Sequence, residues 1–176
     1  MHTTDADPPD WTLEPLRPEE RDLLRRLFEF YLYDFSEMEH ADVDGDGWYL
    51  SDPSRYVARY WTDPDRHALL LRVRGKPAGF ALVVDHSPLP NSGHRRYVSD
   101  FFVMRAYRRA GYGTAMARAT LLRWPGEWQV LEIRANPNAQ QFWRRTIGDL
   151  TGGQLEERWV SQREVVQEFR VRGERE

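Results

Sequence analysis

Residues 97–114 restrict the fold of this 176-residue chain more than any other stretch. A hydrophobic run, Tyr97-Val98-Ser99-Asp100-Phe101-Phe102-Val103, passes through Met104-Arg105-Ala106-Tyr107 into Arg108-Arg109-Ala110-Gly111-Tyr112-Gly113-Thr114. Residues 97–104 read as a strand. Residues 111–124 read as a helix, because Met116, Ala117, Thr120 and Leu121 fall on one stripe. Between them lies a basic, glycine-bearing turn. The first amides of a helix have no internal acceptor and carry partial positive charge, so a pyrophosphate fits at such a turn. Gly111 and Gly113 keep Cβ atoms out of its path, Arg108 and Arg109 add charge, and Thr114 adds a hydroxyl. A plain strand-to-helix turn with solvated arginines is the alternative. Neither common nucleotide loop is present: no Gly-Lys-Ser/Thr ending occurs, and position 116 is Met where Gly-x-Gly-x-x-Gly needs glycine.

The rest of the chain alternates strand and helix signals. Residues 11–16 read as a strand. Pro18, Glu19 and Glu20 open a helix carrying Leu23, Leu24, Leu27, Phe28 and Tyr31 at helical spacing. Residues 33–52 are acidic and glycine-bearing and read as a loop; residues 54–61 read as a short helix. Residues 68–73 and 78–84 form a hairpin about Gly75-Lys76-Pro77. Residues 87–94 are a loop, 128–133 a strand and 138–147 a helix. Two strands, 155–160 and 165–171, close the chain. The order predicts a mixed α/β domain over residues 10–176, preceded by a flexible tail over residues 1–9.

With 40% hydrophobic residues the chain can bury a core. Its net charge of -3 argues against a nucleic-acid partner. No apolar run is long enough for a membrane span. The absence of cysteine excludes disulfides and thiolate chemistry and fits a cytoplasmic setting. Asp42-Val43-Asp44-Gly45-Asp46-Gly47 copies the start of a calcium loop, but position 53 is Pro where the last ligand should be Glu. No metal site is expected.

The turn resembles motif A of the GNAT (GCN5-related N-acetyltransferase) superfamily, Arg/Gln-x-x-Gly-x-Gly/Ala, with Arg108, Gly111 and Gly113 in the defined places. One strand later, Asn136-Pro137-Asn138-Ala139-Gln140-Gln141-Phe142-Trp143 resembles the family's motif B, Asn-x-x-Ala-x-x-Phe-Tyr. Alone, the second match also reads as a helix cap followed by a core aromatic pair. The resemblance implies a GNAT fold: a mixed, mostly antiparallel sheet of 6–7 strands with a central splayed parallel pair and about four helices. It implies acetyl-CoA as cofactor. Residues 108–114, that is Arg108, Arg109, Ala110, Gly111, Tyr112, Gly113 and Thr114, would cradle the pyrophosphate. Phe102, Val103 and Met104 would carry a bulge and bond the pantetheine arm. Asn136, Ala139, Phe142 and Trp143 would complete the cofactor side. The last two strands can support a homodimer in such proteins.

The implied reaction is attack of a neutral amine, of a small molecule or a peptide, on a thioester. Freeing an alkyl amine of its proton at pH 7 costs about 5 kcal/mol, so a base is useful. Asp100, which lies three residues before Val103 inside a hydrophobic strand, is the candidate; a solvated aspartate or an ion pair with Arg96 is the alternative. His86 and His94 read as surface residues. Tyr31, Tyr33, Asp34 and Tyr49 supply rings and a carboxylate suited to a cationic acceptor. Trp143 stands where many relatives place the tyrosine credited with protonating the leaving thiolate, and an indole N–H cannot do that near pH 7. This departure leaves open a non-catalytic acyl-CoA-binding sensor of the same fold.

Overall fold

The structure, a computed structural model, describes residues 10–49 and 53–173; the expected tail and the last three residues of the expected 33–52 loop lie outside them. Seven strands form one sheet: β1 (Trp11–Pro15), β2 (Arg66–Val73), β3 (Lys76–Val84), β4 (Arg96–Val103), β5 (Gly126–Ile133), β6 (Glu156–Trp159) and β7 (Glu164–Val171). Their order is β1-β2-β3-β4-β5-β7-β6. The β4–β5 pair is parallel and every other pair is antiparallel. Four helices, α1 (Arg21–Glu39), α2 (Pro53–Thr62), α3 (Tyr112–Arg123) and α4 (Pro137–Thr151), complete the expected fold.

The helices cover both sheet faces, which is why β2 and β3 are apolar almost throughout. On one face Leu24, Leu27 and Phe28 of α1 and Val57 and Tyr60 of α2 pack on Leu70, Phe80, Leu82 and Phe102. On the other, Leu121 of α3 and Trp143 and Ile147 of α4 pack on Val98, Trp128, Val130 and Phe169.

Two expectations are corrected. Residues 33–39 are not loop: α1 continues to Glu39 and ends at His40 in the left-handed region. The reason is visible in Tyr31, Phe35 and Met38, which prolong the apolar stripe through the acidic stretch; the first glycine comes only at Gly45. The β2–β3 turn is Arg74-Gly75, both at positive φ, rather than Gly75-Lys76-Pro77. Val73 pairs with Lys76, as a two-residue hairpin of that geometry requires.

β3 and β4 approach closely beside the site. A Cβ at Gly79 would stand 2.2 Å from the Phe102 carbonyl oxygen, and backbone cannot yield as a side-chain tip does. Gly79→Ala should lower the unfolding free energy by about 2–3 kcal/mol, read as a lower urea midpoint. An unchanged midpoint would place the strands farther apart.

Glu132 of β5 is buried, and neither carboxylate oxygen has a hydrogen-bond partner among the described residues. Burial first, then the nearby Glu157 carboxylate, raises its pKa from 4.5 to about 8, against the pull of Arg144. Between those values the unfolded chain has released a proton that the folded chain retains. Stability therefore falls as pH rises through that window. Glu132→Gln should flatten the fall, so that the variant melts above wild type near pH 8 but close to it near pH 5. Parallel melting profiles for the two proteins would show that Glu132 is not the titrating group.

Candidate active site

The site begins where the parallel pair parts. β4 and β5 are paired over Arg96–Trp128, Tyr97–Gln129 and Val98–Val130 alone. Beyond Val98, β4 runs on to Val103 along β3 only. The freed edge needs other hydrogen-bond partners. One is internal: the Val103 carbonyl accepts from Arg108 Nε at 2.7 Å. Another cap sits on β5, where Gln140 Nε2 donates to the Ile133 carbonyl at 2.9 Å.

The bulge lies at Ser99 rather than at residues 102–104. Val83 pairs with Val98 and Leu82 with Asp100, so Ser99 is the extra residue. One inserted residue reverses which side chains face which way. Val98 packs under α3 and α4, whereas Phe102 packs under α1 and α2. Asp100, two residues before Phe102, shares its side.

At the far end of β4 the basic turn opens α3, where the phosphate cup was expected. The first helical bond of α3 runs from Ala115 N to the Gly111 carbonyl, so the amides of Tyr112, Gly113 and Thr114 have no intrahelical acceptor. Arg109 and Gly111 both have positive φ, 64° and 83°, a backbone that turns successive amides toward one concavity. In Arg109 this costs about 1–2 kcal/mol, the kind of local strain that persists at functional turns. Residues 109–111 are exposed. A Cβ at Gly113 would meet Phe142 and Val103 side chains at ordinary distances, 3.7 and 3.8 Å. Gly111 is thus the position where glycine is required.

A groove of about 1630 Å³ runs from α1 across the parted strands to this cup. Of the predicted cofactor residues, Phe102, Val103, Arg108, Arg109, Ala110, Gly111, Gly113, Thr114, Asn136, Ala139 and Phe142 line it. Met104, Tyr112 and Trp143 do not. The Met104 amide is spent on Ala78 at 2.8 Å. The Tyr112 side chain is buried with Leu71 and Met116. Trp143 is buried against Phe101, ring centres 4.9 Å apart. Asn136 faces the groove, and its side-chain oxygen caps α4 by accepting from Ala139 N at 3.1 Å.

Of the predicted acceptor residues, Tyr31 and Asp34 line the groove while Tyr33 and Tyr49 lie outside it, 6.3 Å apart ring to ring. Asp34 holds Arg105 at 2.8 Å and also pairs with Arg108, tying α1 to the basic turn.

Asp100 is not on the groove wall. It is 8% exposed. Tyr56 OH donates to its Oδ2 at 2.7 Å and Ser99 OH at 2.9 Å. Burial pushes its pKa up, and the Tyr56 and Ser99 hydroxyls, with Tyr31 and Arg66 nearby, pull it back. Arg96 is not its partner, being paired with Asp85 at 2.6 Å. The sequence reading missed Tyr56 and Tyr60; their i, i+4 spacing on one face of α2 was the available signal. Tyr60 shares a 2.7 Å bond with Ser99.

The profile of the acetyltransferase (GNAT) family matches residues 21–148. The chain belongs to that family. An acetyltransferase from Thermus thermophilus superposes with a TM-score of 0.66 at 19% identity, covering 92% of this chain and 97% of that one. A GNAT-family acetyltransferase from Streptococcus agalactiae gives 0.68 at 11% identity, with 93% and 96% covered. The PaiA N-acetyltransferase of Thermoplasma acidophilum, solved with coenzyme A, gives 0.63 at 11% identity, with 92% and 99% covered. No curated protein matches the sequence.

GNAT proteins use acetyl-CoA, and the groove suits it: unbonded amides and arginines at one end, a strand edge without a β5 partner along its length. Gly111→Asp would put a carboxylate in the cup and a side chain at φ 83°. It should weaken CoA binding by at least about 100-fold, equivalent to about 3 kcal/mol, while the far-ultraviolet circular dichroism is retained. CoA affinity within twofold of wild type, by calorimetry, would remove the cup from cofactor binding.

Proposed function

We propose that this GNAT acetyltransferase moves the acetyl group of acetyl-CoA to an amine of a small molecule or peptide by direct attack on the thioester. The observation that carries the reading is the parted β4–β5 pair opening into a groove that ends at the amide cup. When bound, the cofactor supplies an acyl group already activated as a thioester. The chain's task is then to align an amine with it and to manage protons. Residues 109–114 anchor the phosphates, and the freed edge of β4 holds the arm. Tyr31 and Asp34 stand on the acceptor side, and the carboxylate and ring suit a cation. Asp100 is the base in this reading.

The burial of Trp143 favours a second reading, a protein that binds acyl-CoA without turning it over. The two separate on release of free thiol from acetyl-CoA with spermidine, tyramine and a lysine peptide as acceptors. Turnover of any of them supports the transferase; tight CoA binding with none turned over supports the sensor. If Asp100 is the base, Asp100→Asn should lose the most rate near neutral pH and less as pH rises, because hydroxide replaces the missing acceptor. A constant ratio between about pH 6 and 9 would dismiss Asp100.

A further inference from the structure

The groove does not stop at the cup. It continues as a crevice between α3 and α4. On α3 it is lined by Gly111, Thr114 and Arg118, at i, i+3 and i+7 along one stripe. On α4 it is lined by Phe142, Arg145 and Asp149, again at i, i+3 and i+7. Arg118 stands about 6 Å farther along its helix than Thr114, the last residue of the cup. The charges along the groove are not equally free. Asp34 takes Arg105 and Arg108. Arg118 and Arg145, which is exposed, make no ion pair or hydrogen bond among the described residues. Asp149, one turn beyond Arg145, pairs with neither. Two unpaired guanidinium groups thus meet one crevice from facing helices. Arginine's planar fork is built to hold phosphate oxygens in pairs.

CoA carries one anionic group besides its pyrophosphate, the 3′-phosphate of its ribose. We propose that Arg118 and Arg145 bind this 3′-phosphate and so select CoA over its dephospho form. The free amides of the cup and Arg109 remain for the pyrophosphate, and the crevice arginines lie past them. A phosphate monoester bears a charge of about -1.5 to -2 near neutral pH, its second pKa being about 6. It is therefore the strongest anion that the crevice can receive from the cofactor. A phosphopantetheine arm borne on a carrier protein has neither pyrophosphate nor 3′-phosphate. The same two residues therefore favour free CoA thioesters over carrier-bound ones. This selection concerns the cofactor alone, so it holds for the transferase and for the sensor.

The test is calorimetry with CoA and with 3′-dephospho-CoA. Wild type should bind CoA at least about 30-fold more tightly at about pH 7.5. Arg118→Gln and Arg145→Gln should each weaken CoA by about 10-fold and leave dephospho-CoA within about twofold of wild type. Retained dephospho-CoA affinity also reports that each variant is folded. Arg170→Gln removes the same charge from β7, outside the groove, and should change neither affinity. Lowering the pH through about 6 should narrow the wild-type preference, because the phosphate takes up a proton. Equal affinity of wild type for the two ligands would overturn the assignment. So would a loss in Arg118→Gln and Arg145→Gln that is the same for both ligands, or one matched by Arg170→Gln. Binding of neither ligand by wild type would overturn it together with the cup.

Discussion

The parting of β4 from β5 after Val98 and Val130 is the constraint on which the site depends. Parallel strands normally stay bonded along their shared length, because an unpaired edge inside a domain leaves backbone groups without partners. Here the edge opens over an aromatic floor. Phe101 stands 5.7 Å from Phe142 and 4.9 Å from Trp143, and the two α4 rings are 5.2 Å apart. These rings pack against one another beneath the gap. The cost of the open edge is met partly inside the protein, by Arg108 on the Val103 carbonyl and Gln140 on the end of β5. The remainder falls to solvent or to a ligand with amides of its own, which is what an extended pantetheine arm carries.

The basic turn is held by charge from the opposite face. Asp34, nearly two turns beyond Phe28 on α1, takes both Arg105 and Arg108. These arginines are 65% and 41% exposed, so the pairs contribute at most about 1 kcal/mol each. Their consequence is positional. Arg108 spans from Asp34 to the Val103 carbonyl, with its guanidinium 5.6 Å from the Phe102 ring. One side chain thereby fixes the spacing of α1, the end of β4 and the start of the cup.

What could be read from the sequence was what is local. The Gly111-Tyr112-Gly113 turn, the α3 stripe and the succession of strands and helices along the chain depend on neighbours a few residues away, and each matched the structure. Long-range features were not legible. The bulge at Ser99 is set by the register of β4 against β3, and nothing in Val98-Ser99-Asp100 marks it. The helical character of residues 33–39 was obscured by their acidity, although Phe35 and Met38 kept the period. Tyr56 and Tyr60 looked like one face of a short amphipathic helix. Only the fold shows that this face closes over Asp100.

Burial of Asp100 bears on its role in a way exposure would not. A carboxylate in water, near pH 4, is a poor match for an amine or a thiol. A base works best when its pKa lies near the pH of operation, and desolvation moves Asp100 in that direction. The same burial keeps Asp100 off the groove wall. The bulge turns Asp100 toward α1 and α2, where tyrosines rather than aliphatic side chains meet it. Tyrosine hydroxyls both donate and accept, whereas a leucine or phenylalanine at those places would have left a buried charge unpaired.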